Sequence, residues 1–147
     1  MKFLSKIILF LIFNFLFFSL YSIDIPNNLI IKKLKEGDEN KKAAENNDFI
    51  SVKYSGWLFD NNSKTKEVCD AKGNMFDSNI DRDEAFEFVL GQGIVIKGWD
   101  KGLQNMKVNE KRCLVIPPKF AYGNRRIGNI IKPNSTLIFE VELVKVM

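Results

Sequence analysis

The chain has 147 residues, 46% of them apolar, with 22 Lys and Arg against 18 Asp and Glu for a net charge of +4. That length fits one domain, and so small a charge gives no concentrated basic face for nucleic acid. Histidine is absent, which removes the common Ser-His-Asp and Cys-His nucleophiles and His-based metal sites.

Met1 to Ser22 starts with Lys2 and Lys6, runs apolar from Ile7 to Leu20 apart from Asn14 and Ser19, and ends on a small residue. This is the layout of a secretory signal peptide, and the apolar stretch is short for a membrane span of roughly 20 residues. Bulky Leu20 and Tyr21 leave an uncleaved signal anchor as the alternative, the one case in which membrane contact is expected. Residues 23–147 are expected to form the domain, with a net charge of +2 once Lys2 and Lys6 are gone.

Asn27 to Lys35 reads as a first strand and Glu36 to Asp48 as a polar loop. From Phe49 to Phe59, Ile50, Val52 and Tyr54 alternate with Ser51, Lys53 and Ser55, the pattern of a half-buried strand. Asp60 to Asn74 is polar and reads as a long loop, followed by a short strand over Met75 to Ser78. Asp77 to Asp81 begins like a calcium loop. Arg82 then stands where Gly is needed and Phe88 where Glu is needed, so Asp81, Asp83 and Glu84 read as a solvated turn. Phe86, Phe88 and Leu90 alternate with Glu87 and Val89 in another strand, punctuated by Gly91 and Gly93. Ile96, Trp99, Leu103 and Met106 recur at helical spacing. Gly98 and Gly102 weaken that helix, which is expected to be short and held by packing. Glu110 to Ile116 is a strand stopped by Pro117-Pro118, Lys119 to Lys132 a loop, and Thr136 to Val146 a last strand.

The sum is an α+β domain, an antiparallel sheet of five to six strands wrapped around one short helix. Cys113 lies on the opposite face of its strand from Leu114. If the 60–74 loop folds over that face the two cysteines can bridge, which needs Cα atoms within roughly 7 Å. Two free thiols are the alternative.

Several short words occur in order: Val52-Lys53-Tyr54-Ser55-Gly56, Phe76-Asp77-Ser78, Phe86-Glu87-Phe88-Val89-Leu90-Gly91, Val95-Ile96-Lys97-Gly98-Trp99-Asp100-Lys101-Gly102, Leu114-Val115-Ile116-Pro117-Pro118, Ala121-Tyr122-Gly123, and Thr136 through Leu143. In these words and their spacing the chain from Leu29 to Val146 resembles the FKBP family of macrolide-binding immunophilins. The resemblance implies an FKBP-like fold and a peptidyl-prolyl cis-trans isomerase that works without cofactor or metal. It implies proline-containing peptides and unfolded proteins as partners, and tacrolimus and rapamycin as ligands of the same pocket. With no dimerising helix arm visible in the sequence, a monomer is expected. Carried over position by position, Tyr54, Asp77, Ile96 and Tyr122 take the catalytic places, and Phe76, Phe86, Val95, Trp99 and Phe139 bind substrate. A catalytically weak chaperone or protein-binding module is the alternative function, and an aromatic cluster that is simply core is the alternative for Trp99 alone. The 60–74 segment reads as an insertion, and Ile127 stands where the family often has His. With the N-terminal segment, an exported protein is expected: periplasmic or extracellular in a bacterium, in the ER lumen or secreted in a eukaryote.

Overall fold

Strand β1 (Ile30–Lys35) leads to β2 (Phe49–Phe59), β3 (Lys72–Ser78) and β4 (Phe86–Val89) in a computed structural model that describes residues 23–147. Helix α1 (Lys97–Gly102), β5 (Lys111–Ile116) and β6 (Leu137–Val146) complete the domain. The expected signal peptide at 1–22 lies outside the described residues. The strands form one antiparallel sheet in the order β1-β5-β6-β2-β3, with β4 also on β2. β6 covers one edge of β2 from Ile50 to Leu58. The other edge is shared: β4 pairs with Phe49 to Val52, and β3 with Ser55 to Phe59. Lys53 and Tyr54 fall in the gap between them.

The period of two sorts side chains between two cores. Leu114 and Ile116 of β5 and Leu137, Phe139, Val141 and Leu143 of β6 face α1 in the larger core. Cys113, Val115 and Ile138 face the other way into a smaller core with Cys69 and Ala71.

The two glycines of α1 explain how it seats. A Cβ on Gly98 would lie 2.5 Å from Ile116 Cγ2, and one on Gly102 would lie 2.7 Å from Leu114 Cδ2. The residues that lower helix propensity are those that let the helix lie directly on β5. The helix is also shorter than the 96–106 expected. Asn105 takes a φ of 57°, and Arg112 Nη1 donates to the carbonyls of Gly102 and Gln104 at 2.8 Å each, ending the helix from the sheet side. Leu103 and Met106 stay fully buried without being helical.

The 60–74 segment is a second correction, because its last part is not loop. Val68–Asp70 forms a 3-10 turn and β3 begins at Lys72 rather than Met75. The cause is a disulfide between Cys69 and Cys113, with Cα atoms 6.2 Å apart. It fixes the segment to the back of β5, and the Asp60 N–H donates to the Ala71 carbonyl at 2.8 Å. Of the two alternatives for the cysteines, the bridge is the one observed, and Cys113 is completely buried beneath it.

Candidate active site

A cavity of about 970 Å³ opens on the helix side of the sheet, bounded by α1 and by the segment from Pro118 to Ile131. All of the expected site residues line it: Tyr54, Asp77, Ile96 and Tyr122 together with Phe76, Phe86, Val95, Trp99 and Phe139. Trp99 is the floor, only 4% exposed. Tyr54 stands edge-on to its indole with centroids 5.1 Å apart, and Phe139 does the same at 5.3 Å. Phe86 approaches it at 6.1 Å from another side. Phe88 packs against the indole at 5.9 Å as buried core. The indole Nε1 is buried and makes no hydrogen bond among the described residues, so Trp99 offers the cavity a ring and not a donor.

Gly56 on β2 makes room for the far wall. A Cβ there would fall 2.7 Å from both Phe139 Cε1 and Phe76 Cζ. Without it the two rings stand edge to face at 5.4 Å.

Two polar groups face this apolar space unengaged. Ile96 caps the start of α1 with extended backbone, and its carbonyl accepts from the Trp99 N–H at 2.9 Å. Its own N–H makes no hydrogen bond among the described residues, as expected for a group just ahead of a helix. Asp100 fixes the turn before it: Oδ1 accepts from the Gly91 N–H at 2.8 Å and Oδ2 from the Gly93 N–H at 2.9 Å. The Tyr122 hydroxyl is also without a partner among the described residues. Burial, and then the charge of Asp77, raise it above the ordinary tyrosine value.

The Tyr54 hydroxyl donates to Asp77 Oδ2 at 2.5 Å, and Arg82 lies 3.4 Å from Asp77 Oδ1. Burial, followed by that bond and the Asp77 charge, pushes the Tyr54 hydroxyl far above its ordinary value of 10.0. Both tyrosines therefore stay neutral donors at any physiological pH.

Two residues outside the expected set hold this arrangement. Asn79, 3% exposed, fills the gap on the edge of β2. Its Oδ1 accepts from the Tyr54 N–H at 2.7 Å, and its Nδ2 donates to the Val52 carbonyl at 3.1 Å. One side-chain amide thus replaces the strand neighbour that neither β3 nor β4 supplies. Lys53 reaches over the turn and donates to the carbonyls of Asn79, Arg82 and Glu84. An Asn between two strands ordinarily signals a turn, and only the split pairing of β2 reveals its second use. Asp81, Asp83 and Glu84 are exposed, as the solvated-turn reading expects.

Residues 40–144 match the family described as FKBP-type peptidyl-prolyl cis-trans isomerase. The chain belongs to this family. It is 45% identical over 118 residues to FK506-binding protein 1A of Neurospora crassa, covering 80% of this chain and 88% of that one. It is 44% identical over 119 residues to an FK506-binding protein of Neisseria meningitidis serogroup A, covering 81% and 96%. FK506-binding protein 2B of Rhizopus delemar is 44% identical over 116 residues, 79% of this chain and 50% of the relative. The FKBP domain described here thus spans nearly the whole of two relatives and half of the third.

Proposed function

We propose that this FKBP domain accelerates rotation about X-Pro bonds in proline-containing peptides and unfolded proteins, with the cavity over Trp99 as its active site. The open aromatic cavity, with the indole as floor rather than sealed core, is the observation that carries the reading. Amide resonance sets a barrier near ~20 kcal/mol and makes the uncatalysed flip take tens of seconds or more. No bond has to break, so the protein needs only to hold the twisted amide better than the planar one. Twisting removes the resonance that places negative charge on oxygen. Inside walls of Tyr54, Phe76, Phe86 and Phe139 the less polar, twisted form loses less on leaving water.

The polar groups orient the peptide. The Ile96 N–H and the Tyr122 hydroxyl are donors without partners among the described residues, suited to two substrate carbonyls. Asp77 holds Tyr54 upright through the 2.5 Å bond. The relatives carry FK506 binding in their names, and we extend tacrolimus and rapamycin to this cavity as competitors of the peptide. We place the protein in an exported, oxidising compartment. The Cys69–Cys113 disulfide and the signal-like layout of Met1 to Ser22 support this, and mass spectrometry of the mature N-terminus tests it.

An assay of cis-trans relaxation on a prolyl tetrapeptide tests the activity. The chain should accelerate relaxation, and Phe139→Ala should lower kcat/KM about tenfold, the equivalent of ~1.4 kcal/mol in the barrier. No acceleration by the unaltered chain would refute the activity, and an undiminished rate in Phe139→Ala would refute the site.

A further inference from the structure

We infer that the cavity selects X-Pro segments bearing an acidic side chain close to the proline, an inference that rests on the isomerase reading of the site. Lys97, Lys119 and Arg125 line the cavity, and Asp77 is the one carboxylate that does so. Asp77 is already engaged by the Tyr54 hydroxyl and faced by Arg82. The opening is therefore cationic, in a protein whose overall charge is small.

These cations differ from the ion-paired lysines elsewhere on the surface, and from the other unpaired ones in lining the cavity. Lys32, Lys33, Lys35 and Lys42 each lie within 3.2 Å of a carboxylate. Neither Lys97 nor Arg125 makes a side-chain hydrogen bond or ion pair among the described residues. Lys119 bonds only the neutral Asn28 side chain, at 3.2 Å, and lies 5.2 Å from the Phe120 ring. Among the described residues, none of these three positive charges at the opening is ion-paired with a carboxylate. Beside them Ile94, 61% exposed, and Ile130, 46% exposed, stand on the same rim.

The two sets together describe a guest. The isoleucines receive apolar side chains flanking the proline, and the cations receive a carboxylate. The low-dielectric aromatic wall behind them concentrates the field of those charges in the opening. Complementary charge at such a rim acts mainly on the rate of encounter and on partner choice. A basic segment is repelled by the same field.

The test uses three tetrapeptides with alanine immediately before the proline that differ only in Glu, Gln or Lys one residue further back. Relaxation is followed by NMR exchange, so no protease imposes its own preference. At about 0.01 M ionic strength, where charges act over ~30 Å, kcat/KM should fall in the order Glu, Gln, Lys, with Glu about fivefold above Gln. At about 1 M salt, where the range shrinks to ~3 Å, the three should converge. The Lys97→Gln/Arg125→Gln variant should bring the Glu-to-Gln ratio close to one at low salt. Equal rates for Glu and Gln at low salt overturn the inference while leaving the isomerase standing. So does a Glu preference that persists at high salt or in the variant. Acceleration of none of the three peptides overturns the isomerase reading and this inference with it.

Discussion

The two faces of the sheet are built from the same strands and end differently. On the back, Cys113, Val115 and Ile138 are closed over by the 60–71 segment, which a covalent bond holds in place. On the front, Trp99 and Phe139 are almost fully buried, yet the rings around them leave about 970 Å³ open. Close packing lowers free energy and leaves nothing to bind. An unfilled aromatic space forgoes contacts and becomes useful only when a guest supplies them. The comparison assigns function to the front and leaves the back with stability alone, and variants can separate the two.

The largest expected effect is on the back. Replacing both cysteines by alanine releases a loop spanning 44 positions, for which chain entropy gives a loss of ~4 kcal/mol. Urea unfolding should show this as a lower midpoint. Isomerase activity of the remaining folded protein should stay near that of the unaltered chain, since neither cysteine lines the cavity. A parallel loss of kcat/KM in fully folded protein would break the division between the faces.

Next in size is Asn79, which acts on the front through β2. Asn79→Ala leaves the Tyr54 N–H and the Val52 carbonyl without the partners that the amide supplies. Unpaired groups of this kind cost ~1–3 kcal/mol each when buried, so a loss of about 2 kcal/mol is expected. Because Tyr54 is also freed to move, kcat/KM should fall by more than the folded fraction does. A variant that loses stability but keeps full kcat/KM would show Asn79 to be structural only.

How much of this was legible depended on the range of the interaction. The alternation from Ile50 to Tyr54 and from Leu137 to Leu143 marks strands because one face of each is buried, and a two-residue period needs no knowledge of the partner. The aromatic set was legible through the short words that carry it, since Phe76, Trp99 and Tyr122 each sit in a distinctive neighbourhood. The roles of Asn79 and Lys53 were not. They arise because β3 and β4 stop short of each other along β2, and no local pattern announces where two strands end. The helix limit had the same character: Arg112 ends α1 from a neighbouring strand. The onset of β3 at Lys72 was hidden because the residues around it are ordered by a disulfide to a distant strand.

Tyr54→Phe comes third. It removes the hydrogen bond to Asp77 and should cost ~1 kcal/mol of stability, together with a several-fold fall in kcat/KM. It also sharpens the pH behaviour of the front face. The folded value of Tyr54 lies above its ordinary 10.0, so its contribution is complete below pH 10.0 and is lost as pH rises through the folded value. The unaltered chain should lose stability above that pH, and Tyr54→Phe should lose less. An identical alkaline profile in both would remove Tyr54 from the account.

The smallest effect lies at acid pH, where each face has its own carboxylate. Burial would raise Glu110, but Arg112, at 2.5 Å, and the Lys107 N–H, at 2.8 Å, hold it below its ordinary 4.5. Arg112 in turn ends α1, so Glu110 supports the helix that carries Trp99. On the back, burial again opposes, but Lys111 and Lys72 hold Glu140 below 4.5 while bridging β5, β6 and β3. For both groups the sign is the same: the stabilisation is complete above 4.5 and is lost as pH falls through the folded value. Glu110→Gln and Glu140→Gln should each flatten part of the acid limb in urea unfolding between about pH 5 and pH 2. They should differ in Trp99 environment, which near-ultraviolet circular dichroism reports once Trp57 is replaced by Phe. Glu110→Gln should change that signal at neutral pH, because it loosens Arg112 and the end of α1. Glu140→Gln should leave it unaltered, because Glu140 touches only the back of the sheet. The reverse pattern would mean that the two faces are mechanically one.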